Sequence, residues 1–159
     1  KMTHTTLTEE ANRIVSIRKG VKEDLPEVVD MIKELAYYEN ALDEVEITIE
    51  QLERDGFGSI PYYWLLIAEV DGEIAGLAFY FIRYSTWKGK LLYLEDFVVK
   101  EKYRRQGIGT LLFDNLKRKV ETEGLAGLVW QVLDWNEPAI KFYEKHGAQI
   151  SSGWLDGKL

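Results

Sequence analysis

Seven consecutive residues, Arg104-Arg105-Gln106-Gly107-Ile108-Gly109-Thr110, put two guanidinium groups and two glycines immediately ahead of a stretch with helical apolar spacing. The first amides of such a helix have no intrahelical partner, glycine permits close backbone approach, and arginine adds charge-assisted bonds, a combination that suits a phosphate or pyrophosphate. The same residues read equally as a glycine turn beside two solvated arginines. They do not form a dinucleotide-binding fingerprint, which needs Gly-x-Gly-x-x-Gly directly after a strand and an acid about 20 residues later. Nor do they contain the Gly-Lys-Ser/Thr of a P-loop. A second chemical feature is the pair Glu95-Asp96 within the apolar run LLYLEDFVV, which reads either as a general base with its neighbour or as two strand-edge charges. Cysteine is absent and histidine occurs only as His4 and His146. Thiolate nucleophiles, disulfides, Cys- or His-built zinc sites and Ser-His triads therefore lack raw material, and no metal is expected. His146, just before Gly147, reads as a cation at a helix C-terminus, and Tyr143 taken alone reads as a core aromatic.

The elements that must position these groups follow from periodicity. RIVSIRKG at 13–20 alternates as a strand does, and Leu25, Val28, Val29, Ile32, Leu35 and Ala36 then recur at helical spacing, which predicts a helix ending near Tyr38. Thr48 and Gln51 stand at capping-box spacing ahead of a short helix stopped by Asp55-Gly56-Phe57-Gly58. WLLIAEV and the run from Ile74 to Tyr84 flank Asp71-Gly72, a hairpin signal, and Trp87-Lys88-Gly89 turns the chain into the strand that carries Glu95 and Asp96. A helix with Ile108, Leu111, Leu112, Leu116 and Val120 on one stripe leads to GLVWQVL, a strand predicted to run parallel to the one at 91–99 through a right-handed crossover. Asn136 caps a last helix with Pro138 in its first turn, and residues from Ala148 to Leu159 are expected to form a terminal strand or hairpin around Gly153. Trp64, Trp130 and Trp135 are assigned to the core.

The length of 159 residues suits one domain over 13–159, with residues 1–12 expected as a flexible extension. Twenty basic against 27 acidic residues leave a net charge of −7, the wrong sign for duplex nucleic acid and one that reads equally as attraction for a cationic ligand or as a device for solubility alone. No apolar run approaches the ~20 residues of a membrane span, and the polar start lacks the apolar centre of a signal peptide. No membrane association and a cytoplasmic location are expected; a start at Lys1 is what a processed terminus would give.

Arg104 to Gly109 also match the Arg/Gln-x-x-Gly-x-Gly/Ala pattern of the GNAT N-acetyltransferase superfamily, between strand and helix as that family places it. The resemblance extends to IKELAYYE at 32–39, DGFG at 55–58, YSTWKGKLLYLEDF at 84–97 and DWNEPAIKFYEKHGA at 134–148. Within the superfamily the chain resembles the diamine (spermidine/spermine) and thialysine acetyltransferases. The resemblance implies an α/β fold with a mixed, V-splayed sheet flanked by helices, acetyl-coenzyme A as donor, and a homodimer. It implies that the pyrophosphate is held by Arg104 and by the amides of Arg105, Gln106, Gly107, Ile108, Gly109 and Thr110. The pantetheine arm would run along Phe97, Val98 and Val99, where the sheet splays, bordered by Asn136.

An amine titrates near pKa ~10.4 and must lose a proton before attacking a thioester, for which Glu95 is the implied base. Tyr143 is implied as the acid that protonates the departing thiolate. Tyr38, Glu39, Trp87, Glu95 and Asp96 resemble the family's acidic, aromatic amine pocket. One departure bears on specificity: polyamine enzymes carry Asp-Pro before the Trp of this turn, and this chain has Ser85-Thr86. Losing that carboxylate shifts the implied acceptor from a polyamine toward thialysine, a lysine-like amino acid or a short diamine, unless Ser85 is only a turn residue. Acetylation of a polyamine (spermidine or spermine), acetylation of a protein or peptide amine and a non-catalytic acetyl-CoA sensor are the alternatives.

Overall fold

The computed structural model describes residues 4–8 and 13–159. Among them the elements run β1 (His4–Thr8), β2 (Arg13–Lys19), α1 (Leu25–Tyr38), α2 (Ile49–Phe57), β3 (Trp64–Val70), β4 (Glu73–Ser85), β5 (Gly89–Val99), α3 (Ile108–Thr122), β6 (Gly127–Trp130) and α4 (Glu137–Lys145). The strands form one sheet in chain order, antiparallel throughout except for the parallel pair β5 and β6. Strand β1 departs from the expected extension: HTTLT is rich in β-branched Thr and pairs with β2 from His4↔Ile17 to Thr8↔Arg13. The remainder of that extension, residues 1–3 and 9–12, lies outside the described residues.

Local chemistry accounts for the joints. Asp71 and Gly72 take positive φ of 51° and 83°, which lets a two-residue turn follow the twist of β3 and β4. Thr48 and Gln51 close the expected capping box on α2. Asn136 Oδ1 accepts from the Ala139 amide at the start of α4. Arg18 of β2 makes two 2.8 Å bonds to the buried Asp24 carboxylate, which also accepts from the Val21 amide and so fixes the approach to α1.

Apolar layers cover both faces of the sheet. One joins Leu25, Val28 and Met31 of α1 and Leu52 of α2 to Leu65, Ile67, Leu77 and Val98. The other joins Ile108, Leu112, Phe113 and Leu116 of α3 and Tyr143 of α4 to Val15, Ile17, Ala78, Leu92 and Leu94. Residues 148–159 hold no regular secondary structure, against the expected strand or hairpin. Ser151-Ser152-Gly153 interrupts any alternation, and Trp154 is 92% exposed, so no buried face holds the segment to the sheet.

Two features of β5 shape the site. It pairs with β6 only from Leu91↔Gly127 to Leu94↔Trp130; beyond Leu94 the two strands part, the expected splay. At the same point β5 bulges: Phe79 faces Asp96 and Tyr80 faces Leu94, leaving Glu95 as an extra residue. Parity changes there, because Leu92 and Leu94 belong to the α3–α4 layer before the bulge whereas Phe97 and Val99 pack on that layer after it. The consecutive carboxylates Glu95 and Asp96 therefore share the opposite face, toward α1.

Candidate active site

The gap between β5 and β6 opens a cleft through the sheet, and residues from three elements meet in it. Tyr38 and Glu39 come from the end of α1, Glu95 and Asp96 from the bulge, and Asn136 and Tyr143 from α4. The Tyr38 hydroxyl lies 3.5 Å from Asn136 Oδ1 as donor, and its ring is 5.9 Å from that of Trp135. Asn136 is buried, with its Oδ1 also committed to the cap of α4.

Electrostatics tie the carboxylates together. Burial first, then the negative charges of Glu95 and Glu39, push the Asp96 carboxyl up to about 7. Burial also raises Glu39. Glu95 itself is exposed, so the apolar surroundings expected for it belong instead to Asp96. Three mutually repelling carboxylates are relieved by a cation. An ammonium ligand at this place restores charge to Asp96 and is itself held.

Tyr143 is 7% exposed and packs its ring 4.7 Å from Trp130 and 6.4 Å from Phe97. Burial, with a smaller contribution from Glu39, pushes the phenol up to about 12, so it keeps its proton throughout the neutral range. Among the described residues no sealed side-chain polar atom lacks a partner, and no protein group bonds the Tyr143 hydroxyl, so that oxygen is not sealed from solvent although its ring is buried.

Next to the cleft, α3 begins at Gly107, whose φ of 78° is left-handed, preceded by Arg105 at 62°. The amides of Ile108, Gly109 and Thr110 occupy the first turn and have no carbonyl four residues back within the helix. Ile108 is buried, so its backbone alone is available to a ligand. Gly109 serves packing as well, because a Cβ there would lie 3.3 Å from the Phe142 ring. Arg104 Nε donates to Val99 O at 2.9 Å and Arg104 Nη2 lies 3.5 Å from Glu34, which keeps the guanidinium at the β5 edge. Thr110 Oγ1 is 3.1 Å from His146 Nε2, while His146 Nδ1 donates to Phe142 O at the end of α4, the helix-terminal placement expected for this residue. Phe97 and Val99 turn their side chains to the α3–α4 layer and Val98 to the other, so this stretch of β5 offers the cleft its backbone edge. Bare amides, a free strand edge and a solvent-reaching phenol fit a pyrophosphate, a pantetheine arm and a thiolate respectively.

Two predicted residues are not brought to this cluster. Ser85 Oγ accepts from the amides of Trp87 and Lys88, at 3.2 and 3.1 Å, and Trp87 is 85% exposed at the tip of the β4–β5 hairpin. Six residues of β5 separate that tip from the bulge, about 20 Å of strand. Trp135, in contrast, was expected in the core and is 49% exposed against Tyr38. Its place directly before the helix cap Asn136 was the available signal, since a residue there lies outside the helix and at its mouth.

Residues 26–148 match the acetyltransferase (GNAT) family. The chain is 40% identical over 151 residues to a thialysine N-epsilon-acetyltransferase of Bos taurus, covering 88% of this chain and 89% of that protein. It is also 40% identical over 148 residues to a spermidine/spermine N(1)-acetyltransferase-like protein 1 of Homo sapiens, spanning 87% of this chain and 21% of that longer protein. In fold it is similar to an aminoglycoside acetyltransferase from an uncultured soil metagenomic sample, with a TM-score of 0.75 at 18% identity over 91% of this chain and 96% of the other. Unpaired amides at a helix start, a splayed parallel pair, the family match over residues 26–148 and relatives covering most of its length lead to one conclusion: the chain belongs to the GNAT family and is an acetyltransferase.

Proposed function

We propose that the protein transfers an acetyl group from acetyl-CoA to the primary amine of a small molecule, a thialysine- or lysine-like amino acid or a short diamine. The observation that carries this reading is the meeting of Glu39, Glu95 and Asp96 with the Tyr143 phenol where β5 and β6 part. The thialysine name of the relatives supports the acceptor class. Backbone amides at the start of α3, with Arg104, hold the donor's pyrophosphate, and the free edge of β5 at residues 97–99 lines its pantetheine arm. Acetyl-CoA supplies the activated acyl group.

Within that arrangement Glu39 and Asp96 hold the acceptor's ammonium, and Glu95, exposed at the bulge, takes a proton from the attacking nitrogen directly or through water. The nitrogen forms its bond to the acetyl carbon as the carbon–sulfur bond breaks, Tyr143 gives its proton to the leaving sulfur, and the second proton shed by the acylated nitrogen restores the Tyr143 phenol through water. Tyr38 and Trp135 present ring faces that favour a cation beside them. A homodimer, a single domain that includes β1 and a cytoplasmic location belong to the same proposal; no helix among the described residues is long and apolar enough to cross a membrane. A sedimentation run showing monomer would remove the dimer.

The decisive experiment supplies acetyl-CoA and a panel of amines and measures release of free thiol. Thialysine and short diamines should give the highest kcat/KM. Binding of acetyl-CoA without thiol release from any amine would return the protein to the sensor reading, and turnover confined to peptide amines would return it to the protein-acetylating one.

A further inference from the structure

We propose that Arg13, Glu73 and Tyr103 are positioning residues that hold the 104–110 loop in its anion-binding shape; the proposal rests on the acetyl-CoA reading above. The loop does not take that shape for nothing. Arg105, a residue with a Cβ, sits at a φ of 62°, and Gly107 follows at 78°. A residue with a Cβ is disfavoured in the left-handed region, so neighbouring contacts must over-determine the turn.

Those contacts come from the same end of the sheet, where the starts of β2 and β4 lie beside the end of β5. Arg13, the first residue of β2, donates through Nη1 to Gln106 Oε1 at 2.9 Å, a bond across 93 residues of sequence. The other end of the same amide, Gln106 Nε2, donates to Lys102 O at 3.3 Å. Both ends of the Gln106 side chain are thereby engaged within the protein, and its contribution to an anion is left to the backbone. One turn earlier the buried Tyr103 donates its hydroxyl to Glu73 Oε2 at 2.6 Å, and Lys102 Nζ reaches the same oxygen at 3.3 Å. Glu73 is the first residue of β4 and is held below the ordinary carboxyl range by Tyr103 and then Lys102. The Arg13 guanidinium lies 5.9 Å from the centre of the Tyr103 ring, joining the two tethers.

The start of β2 and the β3–β4 turn thus brace the loop from two rigid strands. They surround a cavity of about 340 Å³ lined by Arg13, Val70, Asp71, Glu73, Lys102 and Tyr103. Loop amides can be aimed only if the backbone carrying them is fixed, and a small rotation at Arg105 or Gly107 would turn the first-turn donors away from the anion. None of the three residues belongs to the acidic cluster, so loosening them should weaken the donor and spare the acceptor.

The test is calorimetric binding of acetyl-CoA to the full chain, with steady-state kinetics at saturating donor and a thermal melt for each variant. Arg13→Met, Tyr103→Phe and Glu73→Leu should each raise the Kd for acetyl-CoA about three- to tenfold, while kcat and the acceptor KM stay within about twofold. Glu73→Gln keeps an oxygen that accepts from Tyr103 and should bind acetyl-CoA nearly as the wild type does. Arg13→Met and Gln106→Leu share the loss of the Arg13–Gln106 bond, so the double variant should lose less than the sum of the two single losses. An unchanged Kd in all three variants overturns the bracing role. So does a parallel loss in Kd, kcat and acceptor KM with a lowered Tm that Glu73→Gln fails to rescue, which is the behaviour of a purely structural contact. Wild-type protein that does not bind acetyl-CoA would sink the donor reading and the bracing with it, whereas wild-type binding with indifferent variants sinks the bracing alone.

Discussion

Tyr143 and Asp96 differ in how they hold a proton: burial keeps the phenol protonated, whereas the Asp96 carboxyl is raised into the neutral range. The Tyr143 phenol, raised to about 12, is a proton donor throughout the neutral range. Tyr143→Phe removes that donor and little packing, so kcat should fall about a hundredfold or more while acetyl-CoA binding changes by less than about twofold. A kcat equal to wild type would reassign Tyr143 to the core. Asp96 gives a stability test. Its folded carboxyl titrates at about 7, whereas a free aspartate titrates near pKa ~3.9, so between those values the folded state binds more protons than the unfolded one. Stability must then fall as pH rises across that window, and the full penalty is present above it. Asp96→Asn removes the penalty and should raise Tm by about 4 °C at pH ~8 but hardly at all near pH ~4; equal melting shifts at both pH values would contradict it. At this scale the sequence was half legible. It located the Glu95-Asp96 pair, but which carboxyl is buried depends on a bulge and on Glu39 arriving from α1, and neither is encoded within the run LLYLEDFVV. Trp135 was misjudged for the same reason: ring faces become a lining only when α1 brings Tyr38 across.

Elements were far more legible than contacts, because periodicity, capping and turn chemistry act over a few residues. The helix over 25–38, the Thr48–Gln51 box and the Asp71-Gly72 hairpin followed from such signals, and so did the parallel return, which was expected over 127–133 and stops at Trp130 where β5 and β6 part. Long-range balance decided the exceptions. HTTLT became a strand because β2 offered it a free edge, and 148–159 did not because no alternating apolar face holds it. The β4–β5 hairpin carries the element-scale prediction. The absence of an Asp at Ser85 was expected to set acceptor choice, yet the Ser85 hydroxyl is committed to the amides of Trp87 and Lys88. An aspartate makes the same turn bonds through its carboxylate, so Ser85→Asp should leave the hairpin intact. At about 20 Å of strand from the bulge, its charge is screened from an ammonium in the cleft of the same chain. The ratio of kcat/KM for spermidine to that for thialysine should change by less than about twofold. A large gain for spermidine would mean that the tip reaches a cleft after all, and the expected homodimer is the arrangement that would let it reach a neighbour's.

The whole molecule adds a field to the local cluster. With a net charge of −7, and with Glu39, Glu95 and Asp96 concentrated where the sheet splays, the protein draws cations toward the cleft before any contact is made. The donor faces the opposite problem. On the proposed reading acetyl-CoA is an anion approaching an acidic protein, and Arg104, Arg105 and the first-turn amides of α3 would have to overcome that field locally, so a rigid loop would matter more here than on a basic surface. Attraction at a distance is screened over about 8 Å at physiological ionic strength, whereas hydrogen bonds inside the cleft are not. Salt therefore separates steering from recognition. Raising the salt from about 0.02 M to about 0.5 M should lower kcat/KM for a dicationic diamine about three- to tenfold, lower it less for a lysine-like amino acid with one net positive charge, and leave kcat at saturation nearly unchanged. For acetyl-CoA the same change should raise kcat/KM or leave it flat, since screening weakens repulsion by the −7 chain as well as attraction by the arginines. The two substrates should thus respond with opposite or clearly unequal slopes. Equal losses for both would mean that local ion pairs alone govern encounter and that the acidic surface serves solubility only.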